Sequence, residues 1–312
     1  MPDLTTRIGD LTMKTPVMLA SGAVGYGTEY EGVIDLGDVG AIVTKTITVE
    51  PREGNAPPRL VETPGGLLNA IGLENVGLER FLTEKLPEAA RLPVPVIASI
   101  AGTTPEQFGR LAAAVGARGE VSAIELNISC PNVERSRNPV WADPRAIEET
   151  VSAARAATTK TLMVKLSPNT SDILSVAEAA ERAGADALTV ANTLPGMRID
   201  VARMKPALGN VTGGLSGRAL LPVNLALVWK VAGHVSIPVV GSGGVADAGD
   251  ALEFLTAGAV AVQVGTALFA NPGAPSEIVK GLRTYMEGNE IGSMEGLVGA
   301  AREEKRACTE TA

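Results

Sequence analysis

Cysteine, histidine and aromatic residues are scarce in this 312-residue sequence, and each shortage removes a class of function. Two cysteines, Cys130 and Cys308, make neither a disulfide framework nor a zinc site, and they cannot supply the four thiolates of a typical [2Fe–2S] cluster. No metal site is expected. The only histidine is His234, so the most frequent general base is missing from all other positions. Aromatic residues make up 3% of the chain, so its core must be aliphatic. Positive charge is also short: 27 Lys and Arg stand against 35 Asp and Glu, a net charge of -8 that repels nucleic acid and anionic membrane surfaces. No apolar run approaches membrane-spanning length, and MPDLTTRIGDL lacks the regions of a signal peptide, so a cytoplasmic protein is expected.

What is abundant is small and aliphatic. The hydrophobic fraction is 45%, with 35 glycines for tight turns. Short β-branched runs recur at PVMLAS (16-21), AIVTKTI (41-47), PVIASI (95-100), AIELNIS (123-129), TLMVKLS (161-167), ALTVAN (187-192), IPVVGS (237-242) and AVQVGT (261-266). Helical patterns lie between most of them. TPEQFGRLAAAVGA opens with Thr104 and Gln107 spaced as a capping box, and DPRAIEETVSAARAA has Asp143 as cap and Pro144 at the first helical position. The echo between AGADALTV (183-190) and AGAVAVQV (257-264) fits repeated βα units.

Eight alternating units predict an α/β fold, a closed (β/α)8 TIM barrel, formed by residues 1-312 as a single domain. A doubly wound open sheet is disfavoured because ASGAVGYG lacks the helix and acidic partner of a dinucleotide fingerprint. TTRIGDLTMKT reads as an N-terminal hairpin, turning at Gly9-Asp10, that plugs the N-terminal end of the barrel. Insertions at 48-75 and 194-217 follow the C-terminal ends of strands two and six, on the face where barrel active sites are built. His234 lies just before strand seven, on the opposite face, and is given no catalytic task. Cys308, in the charged tail AREEKRACTETA, is read as an idle thiol.

The strand ends carry the chemistry. Gly241-Ser242-Gly243-Gly244 and Gly265-Thr266 end strands seven and eight, where glycine lets backbone N–H groups approach a phosphate. Other strand ends offer Ser21, Lys45, Thr46, Ser99, Asn127, Lys165, Asn192 and Thr193. Lys45 and Lys165 sit in apolar strands, where an ammonium needs a negative partner, and a phosphate-bearing cofactor with an electron-rich ring is one. Asn69, Asn127, Asn132 and Asn192 offer amide donors and acceptors that complement a ring of alternating N–H and C=O groups. Cys130, at the top of strand four, is then a candidate general base, since a free pKa of about 8.5 leaves some thiolate near neutrality. A small buried hydrophobe is the alternative role for a lone thiol.

These segments resemble the dihydroorotate dehydrogenases over nearly the whole chain, specifically the class 1B catalytic subunit. The resemblance rests on ASGAVGYG, TKTIT, GNAPPR, LNAIGLEN, ELNISCPNV, KLSPN, ANTLPGMRID, GGLSG, GSGGV and GTALF, and GNAPPR, NTLPGM and GGLSG look like class 1B rather than the fumarate-using class 1A. It implies an FMN flavoprotein, one FMN per chain, that oxidises (S)-dihydroorotate to orotate in pyrimidine biosynthesis. Carried over by position, Cys130 takes the C5 proton. Lys45, Asn69, Ala70, Ile71, Gly72, Leu73, Asn127, Asn132, Asn192 and Thr193 hold the substrate. Ser21, Lys45, Thr46, Ser99, Asn127, Lys165, Ala191, Gly217, Gly243, Gly244, Gly265 and Thr266 hold the flavin. The resemblance also implies a homodimer core within a heterotetramer, whose partner subunit carries FAD and [2Fe–2S] and passes electrons to NAD. ERSRNPV (134-140) departs from the family, which usually has glycines after PNV in this lid loop. The nearest enzyme alternative is a dihydropyrimidine dehydrogenase-type barrel, whose substrate lacks the carboxylate. A non-catalytic flavin- or phosphate-binding barrel is the alternative from another class.

Overall fold

The computed structural model describes residues 1–128 and 142–302. Cys130, Asn132, Cys308 and the segment 134–140 lie outside the described residues. Eight parallel strands close into a barrel: Val17–Leu19, Ala41–Val43, Val96–Ile100, Val121–Asn127, Thr161–Lys165, Ala187–Val190, Val239–Ser242 and Ala261–Val264. They follow one another round the barrel in chain order, and the eighth pairs with the first through Val262 and Val17. All eight overlap the runs read from the sequence, although the second ends at Val43, short of the end of the run 41-47.

Helices cover the outside, and their local signals explain where they start. Asp143 accepts the Arg145 N–H at the head of Pro144–Ala157, with Pro144 at the first position. Thr104 accepts the Gln107 N–H at 3.4 Å to cap Pro105–Gly116, but the Gln107 side chain reaches past the cap and takes the Thr103 N–H at 2.9 Å. The capping box read there is therefore half formed. A complete one sits at Asp247 and Asp250, before Ala248–Thr256.

The main core lies between strands and helices. Phe81 and Phe254 are its largest fully buried side chains, each contributing about 1.5–3 kcal/mol through burial. A second apolar cluster fills the lower barrel interior, with Met18, Ala41, Val43, Ile97, Ala123, Met163, Ala187, Val240 and Ala261 pointing inward. The hairpin Thr6–Ile8 and Leu11–Met13 closes it from below, adding Ile8, Leu11 and Met13 to the cluster. That is the plug expected from the sequence.

Two residues further along the strands, the interior turns polar. Ser99, Glu125, Lys165, Thr189, Ser242 and Gln263 are all buried there. At the same end of the barrel the two insertions, remote in sequence, form one four-stranded antiparallel sheet, in which Gly66–Asn69 is flanked by Leu60–Thr63 and Thr212–Ser216, and Leu194–Met197 lies beyond the latter. The sheet stands over the polar end of the barrel.

Candidate active site

The polar strand ends of the first four strands are joined by hydrogen bonds. Ser21 donates to the Thr44 carbonyl at 2.7 Å and lies 3.2 Å from the Thr46 hydroxyl, which lies 2.8 Å from Ser99 Oγ. Asn127 donates its amide to Thr46 Oγ1 at 3.1 Å. Thr46 and Ser99 are buried, whereas Ser21 and Asn127 are half-buried, so hydroxyls and an amide line one side of the mouth with no charge among them.

The two lysines differ in environment. Lys165 is buried, and its ammonium donates to Gln263 Oε1 at 3.0 Å and stands 4.0 Å from Glu125 Oε1. Lys45 lies beyond the end of its strand, with 30% of its side chain exposed and Glu74 at 3.9 Å. The reading of both lysines as sitting within apolar strands is thus corrected for Lys45. The protein also supplies an acidic partner to each, Glu125 and Glu74, so a ligand is not their only counter-charge.

On the other side of the mouth, Gly243 and Gly244 follow the seventh strand at φ of +98° and +105°, backbone that a side chain disfavours. A Cβ at Gly243 would run into the Asn224 side-chain amide, and one at Gly244 would stand 2.5 Å from Leu221 Cα. After the eighth strand, Gly265 has more room, with Ala20 Cβ at 3.4 Å from a built Cβ, and Thr266 donates to Ser216 Oγ at 2.8 Å. Gly217 meets Gly66 backbone to backbone, joining the inserted sheet to the mouth. Ala191 is buried just past the sixth strand, next to Asn192 and Thr193, where the Asn192 side-chain oxygen accepts the Thr193 N–H at 2.8 Å.

Asn69 ends one strand of the inserted sheet and donates to the Gly214 carbonyl at 3.1 Å. Residues 70–73 continue as a loop whose shape is held from both sides. Asn55 donates to the Ala70 carbonyl at 3.0 Å and Asn75 to the Leu73 carbonyl at 2.7 Å. The buried Asn75 also accepts the Gly77 N–H at 2.9 Å. Arg59 binds Glu74 at 2.6 Å, and the Tyr26 hydroxyl accepts the Val76 N–H at 3.2 Å. Burial pushes the Tyr26 phenol above its ordinary range, against the opposing pull of the Val76 bond.

The described site residues from strands one to eight therefore converge on one end of the barrel, with Asn69 on the sheet above and residues 70–73 in the loop that follows it. Sequence reasoning passed over Asn75, Arg59, Glu74, Thr189 and Gln263, and it gave Glu125 no task. A polar residue at an inward position of an apolar strand, as in AIELNIS and AVQVGT, is the signal that could have found Glu125 and Gln263. His234 lies at the far end, 40% exposed and 3.8 Å from Glu178. Among the described residues no cluster of His, Cys, Asp and Glu is arranged to hold a metal ion, and no helix is long and apolar enough to cross a membrane.

Comparison with known proteins agrees with this architecture along nearly the whole chain. The dihydroorotate dehydrogenase family profile matches residues 3–286. The catalytic subunit of dihydroorotate dehydrogenase B (NAD(+)) from Trichlorobacter lovleyi is 51% identical over 299 residues, covering 96% of this chain and 98% of the relative. The subunits of the same name from Pelobacter propionicus and Geotalea uraniireducens are each 49% identical over the same shares. A match of this length and identity, on a barrel with a polar mouth and paired glycine loops, places the chain in the dihydroorotate dehydrogenase family.

Proposed function

We propose that this chain oxidises dihydroorotate to orotate in pyrimidine biosynthesis as the catalytic subunit of an NAD-linked, class 1B enzyme. The observation that carries the reading is the division of the mouth. Glycine-rich loops follow strands seven and eight, with Gly243 and Gly244 at positive φ, while uncharged donors and Lys165 line strands one to five. That donor set fits FMN, with backbone N–H groups for a phosphate and hydroxyl, amide and ammonium groups for a polar ring. Ser21, Lys45, Thr46, Ser99, Asn127, Lys165, Ala191, Gly217, Gly243, Gly244, Gly265 and Thr266 are the residues assigned to hold it.

Lys45, Asn69 to Leu73, Asn127, Asn132, Asn192 and Thr193 are assigned to the substrate. Asparagine amides match the ring's alternating N–H and C=O groups, and Lys45 matches its anionic carboxylate. Cys130 accepts the C5 proton as general base. FMN, when bound, supplies the acceptor for the hydride from C6. Removal of the two hydrogens as proton and hydride leaves the C5–C6 double bond of orotate. The chain has too few cysteines for an iron–sulfur cluster, so onward transfer to NAD is assigned to a partner subunit carrying FAD and [2Fe–2S], around a homodimer of this chain.

The test is anaerobic addition of substrate to the flavin-loaded protein. Dihydroorotate is expected to bleach the flavin absorbance within one turnover, and dihydrouracil, which lacks the carboxylate, is not. Equal bleaching by both would move the substrate to uracil-like rings, and bleaching by neither would leave a binding protein.

A further inference from the structure

Glu125 is a buried carboxylate without a task in the reading above. It is fully enclosed, facing into the barrel from the fourth strand. Its Oε2 accepts from Thr189 Oγ1 at 3.0 Å and from Gln263 Nε2 at 2.7 Å. Its Oε1 has no hydrogen-bond partner among the described residues and stands 4.0 Å from the Lys165 ammonium.

The orientation of Gln263 follows from its neighbours. Lys165 has only donors and takes the amide oxygen at 3.0 Å, while the carboxylate accepts from the amide nitrogen. Carboxylate, amide and ammonium thus form one closed set, drawn from the fourth, eighth and fifth strands, with Thr189 of the sixth as a further donor. Directly below, the same barrel fills a layer with apolar side chains. Burying two opposite charges there instead is costly, and such a pair is weak ground for stability. Among the described residues Gln263 is the only hydrogen-bond acceptor of the Lys165 ammonium, so N–H groups remain for a ligand at the mouth.

We propose that Glu125 is a positioning residue for flavin chemistry. Through Gln263 it fixes the Lys165 ammonium, and its own negative charge moderates the positive field that Lys165 presents to the ring. This rests on the flavin reading above. A reduced flavin gains negative charge at its N1 and C2-carbonyl end, which a nearby ammonium favours and a nearby carboxylate opposes. Glu125 therefore holds the flavin potential below the value that Lys165 alone would set.

The experiment measures FMN content and midpoint potential, by anaerobic equilibration with reference dyes, for wild type and for Glu125→Gln, Glu125→Asp and Thr189→Val. Glu125→Gln is nearly isosteric, and its potential is expected to shift to a more positive value while FMN remains bound. Glu125→Asp keeps the charge and should stay nearer wild type. Thr189→Val removes a donor that disperses the carboxylate charge and should shift the potential the opposite way, so it carries the test if Glu125→Gln does not fold. A merely structural role would lower melting temperature or occupancy and leave the potential in place. Unchanged potentials in folded, flavin-loaded Glu125→Gln, or in Thr189→Val if it must stand in, would overturn the proposal. Wild type that takes up no FMN would instead overturn the flavin reading itself.

Discussion

The Thr46 hydroxyl lies 2.8 Å from that of Ser99, tying the end of the second strand to the third at the barrel mouth. Because Thr46 also meets Ser21 and accepts from Asn127, one hydroxyl is the hub of four strand ends. Thr46→Val keeps the shape and removes the hub, taking one hydrogen-bond partner from the Ser99 hydroxyl and one from the Asn127 amide. The expected cost is about 1–3 kcal/mol, read by denaturant unfolding, together with weaker FMN retention. Retention and stability equal to wild type would show that the hub is dispensable.

The glycine loops separate backbone strain from ligand approach. Gly244 cannot serve alone, since its added Cβ would strike the Leu221 backbone before any ligand is considered. Gly265 is the better probe because the nearest atom to an added methyl is Ala20 Cβ at 3.4 Å, an ordinary contact. Gly265→Ala is expected to melt close to wild type yet bind FMN about tenfold more weakly, measured by fluorescence titration of the flavin-free protein. Unchanged affinity would place the phosphate away from this loop.

Asn75 offers a test confined to the loop proposed to hold the substrate. Its side chain binds the Leu73 carbonyl and the Gly77 N–H from a buried position, so it sets the path of residues 70–73. Asn75→Ala is expected to raise KM for dihydroorotate several-fold, while FMN content stays close to that of wild type. A fall in FMN content with an unchanged KM would count against the division of the mouth into cofactor and substrate sides.

Much of this fold is legible in the sequence because its signals are local. Each barrel strand is a short β-branched run, and caps such as Asp143 with Pro144 announce the following helix within two residues. The inserted sheet is not legible, because Asn69 pairs with Gly214 across 145 residues and neither segment alternates apolar and polar residues clearly. The candidate site divides the same way. Ser99, Asn127 and Lys165 stand out as polar residues at strand ends, whereas Asn75 and Arg59 matter only through loop contacts that no spacing encodes. Lys45 was misplaced by extending its strand past Val43.

Acid should weaken the loop that follows the seventh strand. Burial raises the Asp247 carboxyl, but the Asp250 N–H and the Arg218 guanidinium bind it and hold it below the ordinary value of 3.8. Its contribution is therefore present above that value and lost as the pH falls through the depressed one. Asp247→Ala removes the cap of Ala248–Thr256 and is expected to cost about 1 kcal/mol at neutral pH. The difference between variant and wild type should shrink on acidification below 3.8, followed by thermal unfolding across a pH series. A difference independent of pH would exclude the carboxylate as its cause.

Substitution of Cys130 tests proton removal separately from ring binding. Replacing it with Ala is expected to abolish dihydroorotate oxidation while flavin spectra and orotate affinity persist, because the role proposed for the thiol is to take a proton, not to carry the ring. Cys130→Ser should leave a slower enzyme whose rate keeps rising to higher pH, since a hydroxyl is a far weaker acid than a thiol. Both are read from the rate of flavin bleaching, which isolates the oxidative half of the reaction from whatever follows. In the other half, the isolated chain should reduce artificial acceptors but form NADH only when the FAD and [2Fe–2S] subunit is added. Rapid NADH formation by the chain alone would remove the need for that subunit, and efficient fumarate reduction would move the enzyme to class 1A. Cys130→Ala that still turned over at the wild-type rate would require another base, and the described mouth offers no histidine to take its place.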